Sequence, residues 1–332
     1  MSALTEIALA GAFLLALSEA VAAQNVVSDL PLVGGGSERV VFTSPSNPAA
    51  ILVMFAGGDG TVDIADTGTI DRHAGNFLVR TQPLWLAQGF AVEILGAPNN
   101  FSLNGQRHTE SYADAVGRAV DFARTRASVP VWLVGTSAGT TGAANGAARL
   151  TAKVAGLVLT SSVTRQHSGG ETVFDTNLAA ITVPVLIVAN QNDTCPGTPP
   201  GDAPRIAAAL ARSPRKEVVC VQSDQIRSSV CEAFAPHGFL GIETAVVQRI
   251  GDWIRAASAR QNGGLKHCPL APRRAPGLPD HRASPAVILK IKWRRFLIAI
   301  WRKPRSWARR PCEVVRQTVD ERSPGKGPAI SG

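Results

Sequence analysis

The strongest constraint on the fold is an alternation of two kinds of segment between residues 39 and 257. Short runs rich in apolar and β-branched residues alternate with longer amphipathic or Ala-rich segments. Several runs are apolar throughout, which is typical of strands covered on both faces of a parallel sheet. The predicted strands are Val40–Thr43, Ala50–Phe55, Ala91–Leu95, Val129–Val134, Val154–Thr160, Val183–Val188 and Glu217–Val221. The predicted helices are Glu110–Arg126, Ala138–Leu150, Asp202–Ala211 and Ile242–Ala257.

This alternation predicts an α/β fold with a mostly parallel central sheet and helices on both of its faces. The chain has 332 residues, of which 45% are hydrophobic and 18% charged, so it can bury a sizeable core. That composition excludes a fully disordered or collagen-like chain. No apolar stretch reaches the roughly 18–20 residues that span a bilayer, which excludes a polytopic membrane protein.

The net charge of +9 is distributed unevenly along the chain. Residues 262–332 hold 16 Lys and Arg against 4 Asp and Glu, which leaves 18 basic and 21 acidic residues elsewhere. The body is therefore slightly acidic, and no nucleic-acid-binding patch is expected on it. In the tail, Ala286–Lys303 mixes apolar and basic residues and could, as a helix, make weak contact with an anionic membrane surface. The plainer interpretation is a poorly ordered extension without a catalytic role.

Residues 1–23 have the layout of a secretory signal peptide. The apolar run Ile7–Leu17 is followed by small residues that end in an A-x-A-like site at Ala23. The segment before the run holds Glu6 and no Lys or Arg, so an ordinary N-terminal helix is the alternative. We expect an exported protein, periplasmic or secreted, with a folded domain over residues 24–261 and a basic tail over residues 262–332.

A candidate nucleophile follows the predicted strand Val129–Val134. Residues 135–139 read G-T-S-A-G and lie between that strand and a predicted helix. The glycines allow a sharp turn that exposes the hydroxyl of Ser137 at its tip. The helix N-terminus favours negative charge there, and the Ala138 N–H points to where an oxyanion would form. The alternative is a glycine-rich turn with an ordinary helix-capping serine.

A serine nucleophile needs a base within hydrogen-bond reach, and that base needs an orienting carboxylate. The first candidate for the acid is Asp193, in the polar loop after Val183–Val188; Asp202 is the second, but it lies where a helix N-cap is expected. Among the histidines, only His237 follows Asp193 within the predicted domain. We therefore expect His237 to be the general base. The alternatives are a solvated turn aspartate and a structural loop histidine.

A second oxyanion donor is expected in the loop after an early strand. Residues 56–60, after the predicted strand Ala50–Phe55, read A-G-G-D-G, and three glycines allow backbone N–H groups to approach a substrate closely. Gly58 is the first candidate and Gly57 the second, and a plain tight turn is the alternative. No metal site is expected, because the spacing of the nearby Asp59, Asp63 and Asp66 matches no metal-binding loop.

The order and spacing of these motifs over roughly Arg39–Ala257 resemble the α/β-hydrolase superfamily, in which the triad runs Ser, then acid, then His. The resemblance implies a serine hydrolase that cleaves a carboxylic ester through an acyl-enzyme, with no cofactor. It gives the nucleophile, acid and base roles to Ser137, Asp193 and His237, and the oxyanion-donor roles to Gly58 and Ala138.

Two departures from the family pattern narrow the expected substrate. Many lipases and esterases have a His before the oxyanion glycines, where this chain has Ala56. The segment between Thr160 and Val183 is too short for the large lid that many lipases carry. We therefore expect little or no lid and an open site for a small-molecule ester rather than a long-chain lipid.

The resemblance also bears on the cysteines. If the triad assembles as implied, the loops that carry the acid and the base must lie side by side. Cys195 follows Asp193 by two residues, and Cys231 precedes His237 by six. We therefore predict a Cys195–Cys231 disulfide, which fits an exported protein and leaves Cys220 as a buried thiol.

Other functions remain open at this point. The same machinery can cleave amides, so an amidase or peptidase is the nearest alternative. A non-catalytic binding module on the same fold is the second, because a fold does not fix a function. A protein that acts at a membrane surface through its tail is the third. The acyl and alcohol groups and the oligomeric state leave no signal in the sequence.

Overall fold

The computed structural model describes residues 24–166 and 170–263. Its centre is one eight-stranded sheet flanked by six α-helices. The strands are β1 Asn25–Pro31, β2 Ser37–Thr43, β3 Ile51–Phe55, β4 Ala91–Leu95, β5 Val131–Thr136, β6 Gly156–Thr160, β7 Val185–Asn190 and β8 Lys216–Val221. The helices are α1 Phe77–Arg80, α2 Gln82–Ala87, α3 Glu110–Arg126, α4 Gly139–Arg149, α5 Ala203–Ala209 and α6 Glu243–Gly263.

The strand order across the sheet is β1-β2-β4-β3-β5-β6-β7-β8. From β4 to β8 every neighbouring pair is parallel, whereas β1 pairs with β2 and β2 with β4 in antiparallel fashion. All parallel strands therefore end at the same edge of the sheet, where ligands of open α/β sheets bind.

The strands are apolar throughout because both faces of the sheet are covered. Along β3, Val53 packs in the core beneath α3, α4 and α5, whereas its neighbours Leu52 and Met54 pack in the core beneath α1, α2 and α6. This two-sided burial leaves no position for polar alternation. The predicted fold class, a mostly parallel sheet with helices on both faces, is confirmed.

The seven predicted strands and four predicted helices are all present, with ends shifted by at most a few residues except at α6, which runs on to Gly263. β1 was not predicted, and it is an edge strand whose side chains are mostly exposed or half-buried. α1 and α2, which have four and six residues, were not predicted either. Helices this short carry too few turns for a periodic signal.

The predicted signal peptide at residues 1–23 lies outside the described residues, as do residues 264–332 of the predicted tail, including Ala286–Lys303. Between residues 24 and 263, no described helix is long and apolar enough to cross a membrane.

Two carboxyl groups lie inside the core. Glu38 on β2 and Glu93 on the adjacent β4 are fully buried. Within the described part of the chain, none of their four carboxyl oxygens has a hydrogen-bond partner. Burial raises the pKa of Glu38 from its ordinary 4.5 to about 8. Burial, and then the nearby Glu38, raise the pKa of Glu93 well above its ordinary value. Both groups are therefore favoured as neutral acids in the folded protein.

Candidate active site

Ser137 lies at the tip of a sharp turn between β5 and α4. Its backbone φ is 52°, in the left-handed region that side chains other than glycine seldom adopt. A hydrogen bond of 3.0 Å from the Ser137 N–H to the Thr160 carbonyl holds the turn against β6. A Cβ on Gly139 would overlap the carbonyl oxygen of Phe55, so the helix can approach the sheet this closely only with glycine there. This strained turn has the geometry that the motif predicts for a nucleophile elbow.

Asp193 and His237 form a buried pair at the ends of two other segments. Asp193 follows β7, and His237 lies in the 3₁₀ turn Pro236–Gly238 that precedes α6. The Nδ1 atom of His237 is 3.0 Å from Oδ2 of Asp193, and both residues are only 5% exposed. A buried carboxylate beside Nδ1 places the proton on that nitrogen and leaves Nε2 as a hydrogen-bond acceptor.

The turn that carries His237 is anchored by three side chains from other elements. Each of its three consecutive carbonyl oxygens accepts a hydrogen bond from a different donor. The donors are Asn190 Nδ2 to Pro236 O at 2.8 Å, Ser161 Oγ to His237 O at 2.7 Å and Arg80 Nη2 to Gly238 O at 2.6 Å. The turn has no strand ladder to hold it, so these bonds fix its position.

Ser137 and His237 line one cavity of about 550 Å³ at the carboxyl edge of the sheet. Its wall combines polar and apolar side chains, including Asn76, Asn104, Ser228, Phe77, Val163 and Phe234. Gly57 and Gly58, the candidate oxyanion donors, and Ala138 line the same cavity. The structure therefore brings Ser137, His237 and the candidate oxyanion donors to one cavity, with Asp193 in contact with His237.

Comparison with solved structures supports this description of the fold. A fungal esterase from Rhizomucor miehei matches over 75% of this chain and 87% of its own, with a TM-score of 0.52 and 14% identity. An acylaminoacyl peptidase from Pyrococcus horikoshii matches over 71% of this chain and 42% of its own, with a TM-score of 0.50 and 9% identity. Both are members of the α/β-hydrolase superfamily. The chain has the α/β-hydrolase fold. Neither models of protein families nor the sequences of curated proteins give a match to this chain.

In this α/β-hydrolase fold, helix α4 begins directly after Ser137, the candidate nucleophile. Ala138 occupies its N-cap position, and no side chain caps the helix there. The first N–H groups of α4 therefore lie at the end of the helix where a developing negative charge is stabilised. Ala138 also lines the cavity, and the oxyanion role of its N–H stays a prediction.

The loop of Gly57 and Gly58 packs directly against Ser137. A Cβ on Gly57 would lie 2.8 Å from Cβ of Ser137 and 3.3 Å from its Oγ, so only glycine fits. Nη2 of Arg107 donates a 2.8 Å hydrogen bond to the Gly58 carbonyl oxygen. Arg107 is 1% exposed and also pairs with the buried Glu171 at 3.3 Å. This buried ion pair fixes the orientation of the glycine loop.

Asp59 stabilises the other side of this loop. Its carboxylate accepts hydrogen bonds from the hydroxyl of Thr61 and from Nη2 of Arg72, and its Oδ1 is 2.8 Å from Nε2 of His73. Burial alone would raise the pKa of Asp59, but the hydrogen bonds of His73 and Thr61 outweigh it and hold that pKa well below its usual range. Asp59 is therefore a charged structural group at the cavity wall.

The predicted disulfide is present. Cys195 and Cys231 are bonded, with their Cα atoms 4.7 Å apart, and both line the cavity. The bond ties the loop of Asp193 to the segment that leads to His237. The expectation of a free thiol at Cys220 is wrong, because this cysteine is disulfide-bonded too. The order of the cysteines along the chain does not indicate a partner for the odd cysteine of the domain.

The second candidate for the acid, Asp202, does not join the site. It occupies the N-cap position of α5, but its side chain makes no capping hydrogen bond. Instead it accepts hydrogen bonds from Thr164 and Arg165 at 3.0 and 3.1 Å. In the two described stretches of the chain, no group of three or more His, Cys, Asp or Glu side chains could hold a metal ion.

The residues that support the site were not predicted from the sequence: Arg80, Arg107, Ser161, Glu171, Asn190 and Thr198. They come from separate elements and follow no motif spacing. The sequence shows that the chain becomes polar at the end of β7. It does not show that the side chain of Asn190 binds the carbonyl oxygen of Pro236.

Proposed function

We propose that this protein is a serine hydrolase that cleaves carboxylic esters through a triad of Ser137, His237 and Asp193. The observation that carries the proposal is the buried contact of 3.0 Å between His237 Nδ1 and Asp193 Oδ2, at a cavity that Ser137 also lines. A left-handed serine between a strand and a helix is strained, and strain of this kind is concentrated at functional sites.

The roles follow from the chemistry of each group. The Oγ atom of Ser137 attacks the ester carbonyl while Nε2 of His237 takes the hydroxyl proton. His237 then gives that proton to the leaving alcohol. Asp193 stabilises the imidazolium ion that forms in between. The Ala138 N–H and an N–H of the Gly57–Gly58 loop stabilise the oxyanion. Water then attacks the acyl-enzyme while His237 takes a proton from it. As the bond from the acyl carbon to the Ser137 oxygen breaks, His237 gives this proton to that oxygen and the acid is released.

The substrate that fits is a small-molecule ester. The cavity of about 550 Å³ falls within the usual size range of small-molecule sites. The described part of the segment between β6 and β7 contains two short 3₁₀ helices, Val173–Asp175 and Leu178–Ala180. These are small elements, and they support the expectation of an open site without a large lid.

The proposal includes export of the protein to an oxidising compartment. The Cys195–Cys231 disulfide supports this, because such bonds persist outside the cytosol and are rare within it. The cysteines are disulfide-bonded at all three positions of the described domain, which adds to the argument.

The test is a fluorophosphonate label followed by ester turnover. We expect the wild-type protein to be labelled at Ser137 and to hydrolyse short- to medium-chain p-nitrophenyl esters. Ser137→Ala should abolish both, whereas Ser213→Ala, a change at a serine distant from the cavity, should abolish neither. Turnover by Ser137→Ala at the wild-type rate would overturn the proposal. A matched series of anilides separates the ester hydrolase from an amidase, which would turn over both series.

A further inference from the structure

The hydroxyl of Thr198 lies between the acid and the base of the site. Its Oγ1 is 2.8 Å from Oδ2 of Asp193 and 3.1 Å from Nδ1 of His237. Those two atoms are 3.0 Å from each other, so the three polar atoms form a closed triangle. Thr198 is 3% exposed, and the triangle is shielded from solvent.

The protons of this triangle can be placed by counting donors. An ionised carboxylate only accepts hydrogen bonds, and a threonine hydroxyl has one proton to donate. The hydroxyl proton of Thr198 therefore goes to Asp193, as the 2.8 Å contact indicates. The remaining lone pairs of Oγ1 then face Nδ1 of His237, which must carry a proton. If Nδ1 were unprotonated, its lone pair would face the lone pairs of Thr198 Oγ1 and Asp193 Oδ2. No proton would then lie between Nδ1 and the carboxylate, and the contact would be repulsive.

The surrounding loop fixes the orientation of the Asp193 carboxylate. Its other oxygen, Oδ1, accepts a 2.9 Å hydrogen bond from the backbone N–H of Cys195. The N–H of Thr198 donates to the carbonyl of Cys195 at 3.1 Å, which closes a tight turn between the two residues. This turn fixes Thr198 relative to Asp193, and the disulfide of Cys195 fixes it relative to the segment before His237.

We propose that Thr198 is a positioning residue, which shares the Nδ1 proton of His237 with Asp193 and so holds Nε2 ready to accept the proton of Ser137. The inference rests on the proposed function and extends it by one residue. With two acceptors around one N–H, the imidazole is fixed both in tautomer and in ring orientation. Thr198 touches no reacting atom and acts through His237 and Asp193.

Thr198→Val tests this because valine has nearly the same shape but no hydroxyl. Loss of a hydrogen bond to a charged pair predicts a fall in kcat of about 10- to 100-fold, with KM within about twofold. Thr198→Ser keeps the hydroxyl and should retain kcat within about threefold. Thr164→Val is the matched control, because it removes another buried threonine hydroxyl from an aspartate, Asp202, outside the triad. That variant should keep the wild-type kcat.

Two further measurements separate positioning from packing. In the Asp193→Asn background, Thr198→Val should have little additional effect, because the Asp193 carboxylate, one of the two groups through which Thr198 acts, is already lost. The NMR chemical shift of the His237 Nδ1 proton should change in Thr198→Val and remain at the wild-type value in Thr198→Ser. Thr198→Ala serves in place of the valine variant if the latter does not fold, as judged by circular dichroism.

The outcomes distinguish this inference from the proposed function. If Thr198→Val matches the wild type in kcat and in the Nδ1 resonance while Ser137→Ala is inactive, the role of Thr198 is refuted and the triad stands. If Ser137→Ala keeps full activity, the triad is refuted. The Nδ1 resonance would then still decide whether Thr198 shares the proton.

Discussion

The hydroxyl of Ser161 donates a hydrogen bond of 2.7 Å to the carbonyl oxygen of His237. This bond joins the residue after β6 directly to the backbone of the proposed base. Ser161 has a φ of 43°, so its backbone is also in the left-handed region. Because Ser161 is strained and also holds the turn of the proposed base, we infer that its position there matters more than its local stability.

Ser161→Ala should lower kcat by roughly tenfold, which corresponds to the loss of one ordinary hydrogen bond. The reason is that the turn of His237 then loses one of its three anchors. Ester turnover measures the effect. Ser213→Ala is the control, because this serine hydroxyl also donates to a backbone carbonyl, that of Val183 at 2.8 Å, far from the cavity. Equal kcat values in both variants would contradict the anchoring role.

Gly57→Ala should reduce kcat by about 100-fold, the scale expected when a reacting group is displaced by about an ångström. The new Cβ would lie 2.8 Å from Cβ of Ser137, so the nucleophile or the glycine loop must shift. Ester turnover together with thermal unfolding measures the effect. Gly201→Ala is the control, since a Cβ there meets nothing within 4 Å. An active Gly57→Ala variant would mean that the loop is not part of the oxyanion site.

Replacing both Cys195 and Cys231 with serine should lower the free energy of unfolding by about 2–4 kcal/mol, as for other disulfides that close loops of this size. The bond spans a sequence separation of 36 residues. Activity should fall too, because the loop of Asp193 and the segment that leads to His237 are then joined only by hydrogen bonds. Urea unfolding and ester turnover are the measurements. Unchanged stability would show that other contacts already hold the two loops together.

Stability should fall as the pH rises from about 4.5 to about 8, by up to a few kcal/mol. In the unfolded chain Glu38 loses its proton near its ordinary pKa of 4.5, whereas burial keeps it protonated up to about 8 in the folded protein. The folded state therefore holds more protons in this window, and a rising pH favours unfolding. Above about 8 the contribution levels off.

Glu38→Gln should flatten this pH dependence and stabilise the protein at pH 8, since the amide never ionises. Urea unfolding at pH 5, 6.5 and 8 tests it. Glu110→Gln changes an exposed glutamate whose side chain is 78% accessible, and it should leave the slope as in the wild type. An identical slope in Glu38→Gln and the wild type would contradict a neutral buried carboxyl at this position.

The sequence predicted much of this fold because a sheet covered on both faces requires apolar runs. β3 and β7 are recognisable for that reason. β1 is not, because an edge strand with exposed side chains has no strong apolar pattern. The Gln82–Ala87 helix has a proline in its first turn and only six residues, too few for a periodic signal.

For the site, the sequence indicated Ser137 through its glycine context, and Asp193 and His237 through their order along the chain. It could not indicate Thr198 or Arg107. Threonine and arginine are common residues, and their roles arise only from distances of about 3 Å between parts of the chain that are far apart in sequence. The expectation of a free thiol at Cys220 was wrong for a related reason, because the partner of an odd cysteine depends on which residues the folded chain brings close to it.

The turn that carries His237 is held by side chains rather than by strand pairing. A substitution at Asn190, Ser161 or Arg80 can therefore re-aim the imidazole while the hydrogen-bond ladder of the sheet stays intact. The orientation of the His237 imidazole can therefore evolve through single substitutions at these anchoring side chains, while the strand pairing of the sheet is preserved.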